Sequence, residues 1–206
     1  YYNLLEILTH IGHSEKVFIM NRLLLILILT FSFQTFTKAD DIKDFEIEGI
    51  SIGSSALDFF DKEIIDKRKV DGFVYPDKSF FSITFYNKDF FKTYDAIQLH
   101  LMAEDSNYII YSIAGRIFFE NDYNGCVIKM EKILPELKTM FSNAYLQDDG
   151  TLIWTDVKGR NVKTKSYYLN LKSGADIALE CYDQPKEAQI IDGLNLAIDS
   201  KEFVNK

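Results

Sequence analysis

From Phe80 to Phe119 apolar and polar residues alternate with a period of two, the spacing that puts neighbouring side chains on opposite faces of a strand. In Phe80–Tyr86, Phe81, Ile83 and Phe85 share one face and Ser82, Thr84 and Tyr86 the other. Asp95–Met102 repeats this, with Ile97, Leu99 and Leu101 inward and Gln98 and His100 outward. After a turn at Glu104–Asn107, Tyr108–Phe119 reads as a longer strand in which Gly115 marks a bulge or a close approach. The three predict an antiparallel meander. A second set comprises Thr151–Val157, Val162–Leu171 and Asp176–Tyr182, joined by Lys158-Gly159-Arg160 and Lys172-Ser173-Gly174, both with turn chemistry. Asp148-Asp149-Gly150 reads as the turn before it, and Leu194–Ile198 as a short closing strand.

Helical spacing occurs at three places. Phe45-Glu46-Ile47 alternates like a short strand and leads through Gly49–Gly53 to Ser54 and Ser55, either of which can cap a helix carrying Leu57, Phe60 and Ile64. Asp58 and Asp61 near its start and Lys67-Arg68-Lys69 at its end suit the helix dipole. The stripe Val127, Met130, Leu134, Leu137, Phe141 predicts a second amphipathic helix, capped by Asp122 or Asn124, which Pro135 should kink or split. Asp199-Ser200-Lys201-Glu202 resembles a capping box opening a last helix. Blocks of adjacent strands separated by helices, without sustained strand–helix alternation, predict an α+β fold: antiparallel sheet of short strands with helices packed on one face.

The N-terminal fifth of the chain breaks this pattern. Asn21-Arg22 gives a short positive start, Leu23–Phe33 is apolar apart from Thr30 and Ser32, and Thr37-Lys38-Ala39 supplies small residues before Asp40-Asp41. This is the tripartite pattern of a secretory signal peptide over residues 20–39. The run is shorter than the roughly 20 apolar residues of a bilayer span. Residues 1–19 then read as translation from upstream of Met20, and residues 40–206 as one α+β domain, periplasmic or secreted, with no stable membrane span after cleavage.

Composition narrows the chemistry further. Removing residues 1–39 leaves 20 basic against 29 acidic residues, a net charge of −9, which offers no general attraction for nucleic acid or anionic lipid. It also leaves His100 as the only histidine. One His and two distant Cys provide no zinc spacing. No Gly-x-Ser-x-Gly elbow, phosphate loop or dinucleotide fingerprint is present, so no catalytic, cofactor-binding or metal-binding residue is assigned and no cofactor is expected. Cys126 lies beside the second helix's apolar stripe, and Cys181 shares a strand face with Ile177 and Leu179. In an oxidising compartment the two can form a disulfide, with two buried free thiols as the alternative. Tyr108, Tyr111, Phe118, Phe119, Tyr167 and Tyr168 can line an apolar ligand site, although core and sheet surface is the more ordinary use of such residues. Lys163 and Lys165 share a face and resemble edge-strand protection.

Phe45–Ser55 with Asp58-Phe59-Phe60, Tyr108–Gly115 followed by Cys126, and Cys181-Tyr182-Asp183 with Ile198–Phe203 resemble uncharacterised exported proteins of marine alphaproteobacteria. That resemblance implies location and no assigned activity. Three functions follow as expectations. The first is a periplasmic interaction or accessory protein without catalysis, using its sheet face or an edge strand toward a protein partner. The alternative is a module binding a small apolar molecule or lipid in an aromatic-lined pocket between sheet and helices. The last is a hydrolase built on two carboxylates, for which no pair stands out among 29 candidates.

Overall fold

The computed structural model describes residues 42–205, apart from 71, 87–90, 157 and 189–190. The signal-peptide segment 20–39 and residues 1–19 lie outside the described residues. A hairpin of β1 (Glu46–Ile47) and β2 (Ile50–Ser51) leads to α1 (Lys62–Val70), then to β3 (Phe80–Tyr86), β4 (Ala96–Met102) and β5 (Ile110–Phe118). Helix α2 (Tyr123–Met140) follows, then β6 (Tyr145–Thr155), β7 (Asn161–Asn170), β8 (Asp176–Asp183), β9 (Gly193–Asp199) and the one-turn α3 (Lys201–Val204). The expected α+β fold is present.

Strands β3 to β9 form one seven-stranded antiparallel sheet in the order β3-β4-β5-β9-β8-β7-β6. The predicted meander β3-β4-β5 is present, the second set of strands forms another as β6-β7-β8, and β9 joins the two by pairing with β5 on one side and β8 on the other. Alternation decides the faces. Phe81, Ile83, Leu99, Ile113, Leu179 and Ile198 are among the side chains buried in the core, and Cys126, Met130, Leu134 and Leu137 of α2 belong to the same cluster.

The cysteines are joined. Cys126 in the first turn of α2 and Cys181 on β8 form a disulfide with Cα atoms 5.9 Å apart, tying helix to sheet. Lys163 and Lys165 have a different task from the expected edge protection, because β7 is not an edge strand. The Lys163 ammonium lies 4.1 Å from the centre of the Tyr123 ring, and Lys165 pairs with Glu131, so both bind β7 to α2. Gly115 does mark a close approach: a Cβ there would stand 2.5 Å from the Tyr94 ring.

Three local expectations need correction. The first helix is two elements. Ser55 caps a 3-10 turn at Ala56–Asp58, and Asp58 completes a capping box, so the turn closes on itself before α1 begins. The apolar stripe shifts accordingly, with Ile65 fully buried and Ile64 44% exposed. Pro135 does not split α2, which runs as one 18-residue helix. Proline removes the hydrogen bond to the Glu131 carbonyl, but both residues are on the exposed side, where water can satisfy that carbonyl. Finally, Asp148-Asp149-Gly150 is not a turn before a strand. It is a bulge within β6, where the register slips and Gly150 adopts φ +65°.

The two edges of the sheet differ. Alongside β3, Tyr75 N–H donates to Phe80 O at 3.1 Å and Ser82 N–H to Phe73 O at 2.8 Å, so segment 73–75 covers that edge. No described residue pairs with the outer side of β6.

The disulfide spans 55 residues, and closing a loop of that length in the unfolded chain is worth about 4 kcal/mol in the chain-entropy picture. A Cys126→Ala/Cys181→Ala variant should therefore lose about that much unfolding free energy in urea titration. An unchanged midpoint would mean that α2 holds to β8 by packing alone.

Candidate functional site

The aromatic groove that the structure contains is built from the residues around α1. Ser55 accepts the Leu57 N–H at 3.1 Å and donates its hydroxyl to the Asn107 carbonyl at 2.6 Å. With Ala56 N–H on the Tyr108 carbonyl at 2.9 Å, this fixes the 3-10 turn to the β4–β5 connection. The chain then presents Phe59 and Phe60 before the Asp61 carbonyl starts α1. Phe60 stacks on Phe85 of β3 with ring centres 3.8 Å apart and planes 11° from parallel. Arg68 donates to the Thr84 carbonyl at 2.7 Å and lays its guanidinium 4.8 Å from the centre of the Phe85 ring.

These groups enclose an open groove of about 470 Å³ with Leu57, Phe59, Phe60, Ile64, Arg68 and Phe85 among its walls. Asp58, Asp61 and the buried Phe91 line it as well. The segment after Phe91 is held in place by Glu48, whose carboxylate accepts the N–H groups of Lys92, Thr93 and Tyr94 at 3.0, 2.6 and 3.2 Å. Burial pushes the Glu48 pKa up, but the three donors outweigh it and hold the group below the usual carboxylate range. On the outer flank of α1, the hydrogen bond from Lys62 is the main reason the Asp66 pKa falls, with Tyr108 donating to the same carboxylate at 2.9 Å.

The tyrosines and phenylalanines singled out from the sequence do not gather at this groove. Tyr108 is bonded to Asp66, Tyr111 packs edge-on against Phe80, and Phe118 leans toward Tyr86. Phe119 packs against the core, while Tyr167 donates to Glu131 on one face of the sheet and Tyr168 to Glu180 on the other. The groove takes Phe59, Phe60, Phe85 and Phe91 instead. The signal for it was the adjacent pair Phe59-Phe60 directly after a capped turn, too many aromatics for one buried helical stripe.

The sheet face opposite α2 holds a second polar arrangement. Ser82, His100, Ser112, Asp199, Asp176 and Asn170 lie side by side across six strands. His100 Nδ1 is 2.8 Å from the Tyr75 hydroxyl, and Phe203 of α3 packs edge-on against the imidazole at 4.8 Å. Burial lowers the His100 pKa to about 4, so the ring is neutral at pH 7. In the same row Asp199 stands in register with Ser112 on one side and Asp176 on the other, and Oδ1 of each aspartate is buried without a partner. Burial first, and then the neighbouring Asp176 carboxylate, raises the Asp199 pKa to about 7. Asp176 is raised as well, again chiefly by burial. Such a pair keeps a shared proton, because two adjacent desolvated carboxylates resist ionising together. Glu180, four residues along β8 from Asp176, accepts from Ser166, Tyr168 and Tyr182.

Asp176 and Asp199 are direct neighbours across the β8–β9 ladder, whereas the two carboxyls of a glycosidase stand ~5–9.5 Å apart on either side of the scissile bond. Neither aspartate lines the groove beside α1. Among the described residues no group of three His, Cys, Asp or Glu is placed to hold a metal, and no helix is long and apolar enough to cross a membrane. Compared with protein-family models, with curated proteins and with solved structures, the chain matches none.

The aspartate pair makes stability depend on pH with a defined sign. A carboxyl raised from about 4 in the unfolded chain to about 7 in the fold favours the fold at low pH. That contribution is lost as pH rises through 7. His100, depressed to about 4, acts in the opposite direction between pH 4 and 6.5. The Asp199 effect is therefore read from the difference between Asp199→Asn and the parent protein. The variant's melting temperature should gain on the parent by several degrees between pH 4 and 8, about the effect of 1–2 kcal/mol. Parallel profiles would show that Asp199 ionises in the fold as it does in water.

Proposed function

We propose that this protein is an exported accessory protein without catalysis of its own, which holds a small apolar ligand in the groove between α1 and β3. The observation that carries the reading is the groove itself. Its volume of about 470 Å³ lies within the roughly 300–1,000 Å³ of small-molecule sites. Its walls pair the stacked rings of Phe60 and Phe85 with the exposed side chains of Leu57 and Ile64. Arg68 is committed to Thr84 and Phe85, and Asp58 to its capping box. The apolar area open to a ligand is therefore that of Leu57 and Ile64 beside the Phe60–Phe85 stack, with Asp61 as a further polar group in the lining. Export is supported by the signal-peptide pattern of residues 20–39 and by the Cys126–Cys181 disulfide, a bond that persists in oxidising compartments.

The test is a titration of the disulfide-intact protein with the apolar fluorophore N-phenyl-1-naphthylamine. One saturable site is expected, and Ile64→Asp should weaken it about tenfold by placing a charge on an already exposed wall position. Absence of saturation, or a site that Ile64→Asp leaves unchanged, would exclude the groove as the ligand site.

A further inference from the structure

The open edge of the sheet carries a surface that the groove does not use. In the outer half of β6, Leu152 is 54%, Ile153 70% and Trp154 46% exposed. Natural edge strands are usually blunted by lysine, proline, an inward charge or a covering segment. The far edge, β3, has such a cover in segment 73–75. Thr151-Leu152-Ile153-Trp154-Thr155 is uncharged, free of proline and rich in β-branched and aromatic residues, and no segment among the described residues pairs with its outer side. The only bulge lies upstream, at Asp148–Gly150, so the segment itself is regular. Such an edge invites another strand.

Its sequence indicates which strand. Thr151–Thr155 is nearly symmetric about Ile153. Turned through a two-fold axis at that residue and laid antiparallel to itself, it places Ile153 opposite Ile153, Leu152 opposite Trp154 and Thr151 opposite Thr155. Leu152 and Trp154 lie on one sheet face, opposite Thr164 and Val162 of β7. Two copies would then bring both leucines and both tryptophans into one apolar cluster of cross-strand pairs. Charge agrees with this register. Asp148 and Asp149 lie at one end of the segment and Lys158 at the other, where Arg160 is already paired with Asp156 of its own copy. Antiparallel pairing about Ile153 sets Asp148 of each copy opposite Lys158 of the other. In a chain of net charge −8, this uncharged strip flanked by opposite charges is where two like molecules can approach.

We infer that the protein forms a two-fold dimer in which β6 pairs with β6 of a second copy about Ile153, extending the sheet across the interface. A five-residue strand pair with one apolar cluster is a small interface, so association is expected at micromolar concentration. The interface is isologous, so the assembly closes at two copies.

Sedimentation equilibrium of the disulfide-intact protein should show a reversible monomer–dimer equilibrium, with Ile153→Lys raising the dissociation constant at least about tenfold because two like charges then face each other. Trp154 is the chain's one tryptophan, so its emission should shift to the red on dilution through the same range. Register is tested by cysteine. Directly opposite residues have Cα atoms about 4.5–5.5 Å apart, within disulfide range. Ile153→Cys should therefore cross-link to itself on mild oxidation, and Thr151→Cys should cross-link with Thr155→Cys but not with itself. A monomer at all concentrations to about 100 µM overturns the inference. So does a dimer that keeps its affinity in folded Ile153→Lys and forms no Ile153→Cys cross-link.

Discussion

The sheet is a single sheet because β9 lies between β5 and β8. Ser112–Phe118 pairs along one side of it and Asp176–Tyr182 along the other. Without that strand each meander would end in an unpaired edge, and the core under α2 would open along its middle. The place is a tight one. A Cβ at Gly193 would stand 2.6 Å from the Ile117 carbonyl oxygen, so the strand enters on a glycine. Further along, Ala197 lies between Ala114 and Ala178, three small side chains that form their own buried cluster under Tyr168. The strand ends at Asp199, which stands in register with Asp176 and Ser112, and Ser200 then caps α3 so that Phe203 packs over His100 and Phe80. The last strand of the chain thus joins the halves on one face through Leu194, Leu196 and Ile198, and on the other through small and protonated groups. A pairing between residues about eighty positions apart closes late, after both meanders exist.

Periodicity made most of this legible. The strands β3, β4, β5, β7 and β8 fall where alternation placed them, because each has one face on a core and the pleat enforces a period of two. Cys126 and Cys181 could be matched because each belonged to an apolar stripe that had to face the same interior. What alternation does not carry is which strands become neighbours across a long connection. Asp176 read as the first residue of a strand and Asp199 as part of a capping box opening the last helix, and only the β8–β9 register brings them together. The groove was obscured for a related reason. Leu57, Phe60 and Ile64 have helical spacing, but the capping box at Ser55 and Asp58 ends the first turn early. That rotates Ile65 into the core and turns Ile64 out. A local hydrogen bond, worth about 1 kcal/mol, thereby decided which apolar face became surface.

The two sheet edges divide the available surface between two kinds of contact. At β3 the edge is closed by segment 73–75, and α1 with its preceding turn stands beside it, so the exposed apolar area becomes concave and suits a small molecule. At β6 the edge stays open and flat, and its polar backbone groups face outward with Leu152, Ile153 and Trp154. A concave apolar surface gains most by enclosing a ligand, since every wall loses water at once. A flat strand edge gains most from another strand, which satisfies its backbone groups as it covers the side chains. The connection between the two surfaces runs through β9. The halves are also joined by the single core under α2, and in the β5–β9–β8 ladder Asp199 is the group whose raised pKa, chiefly from burial, makes its contribution fall as pH rises through about 7. That pH dependence therefore belongs to the face carrying Asp176 and Asp199, while under α2 the disulfide and the aliphatic side chains do not titrate.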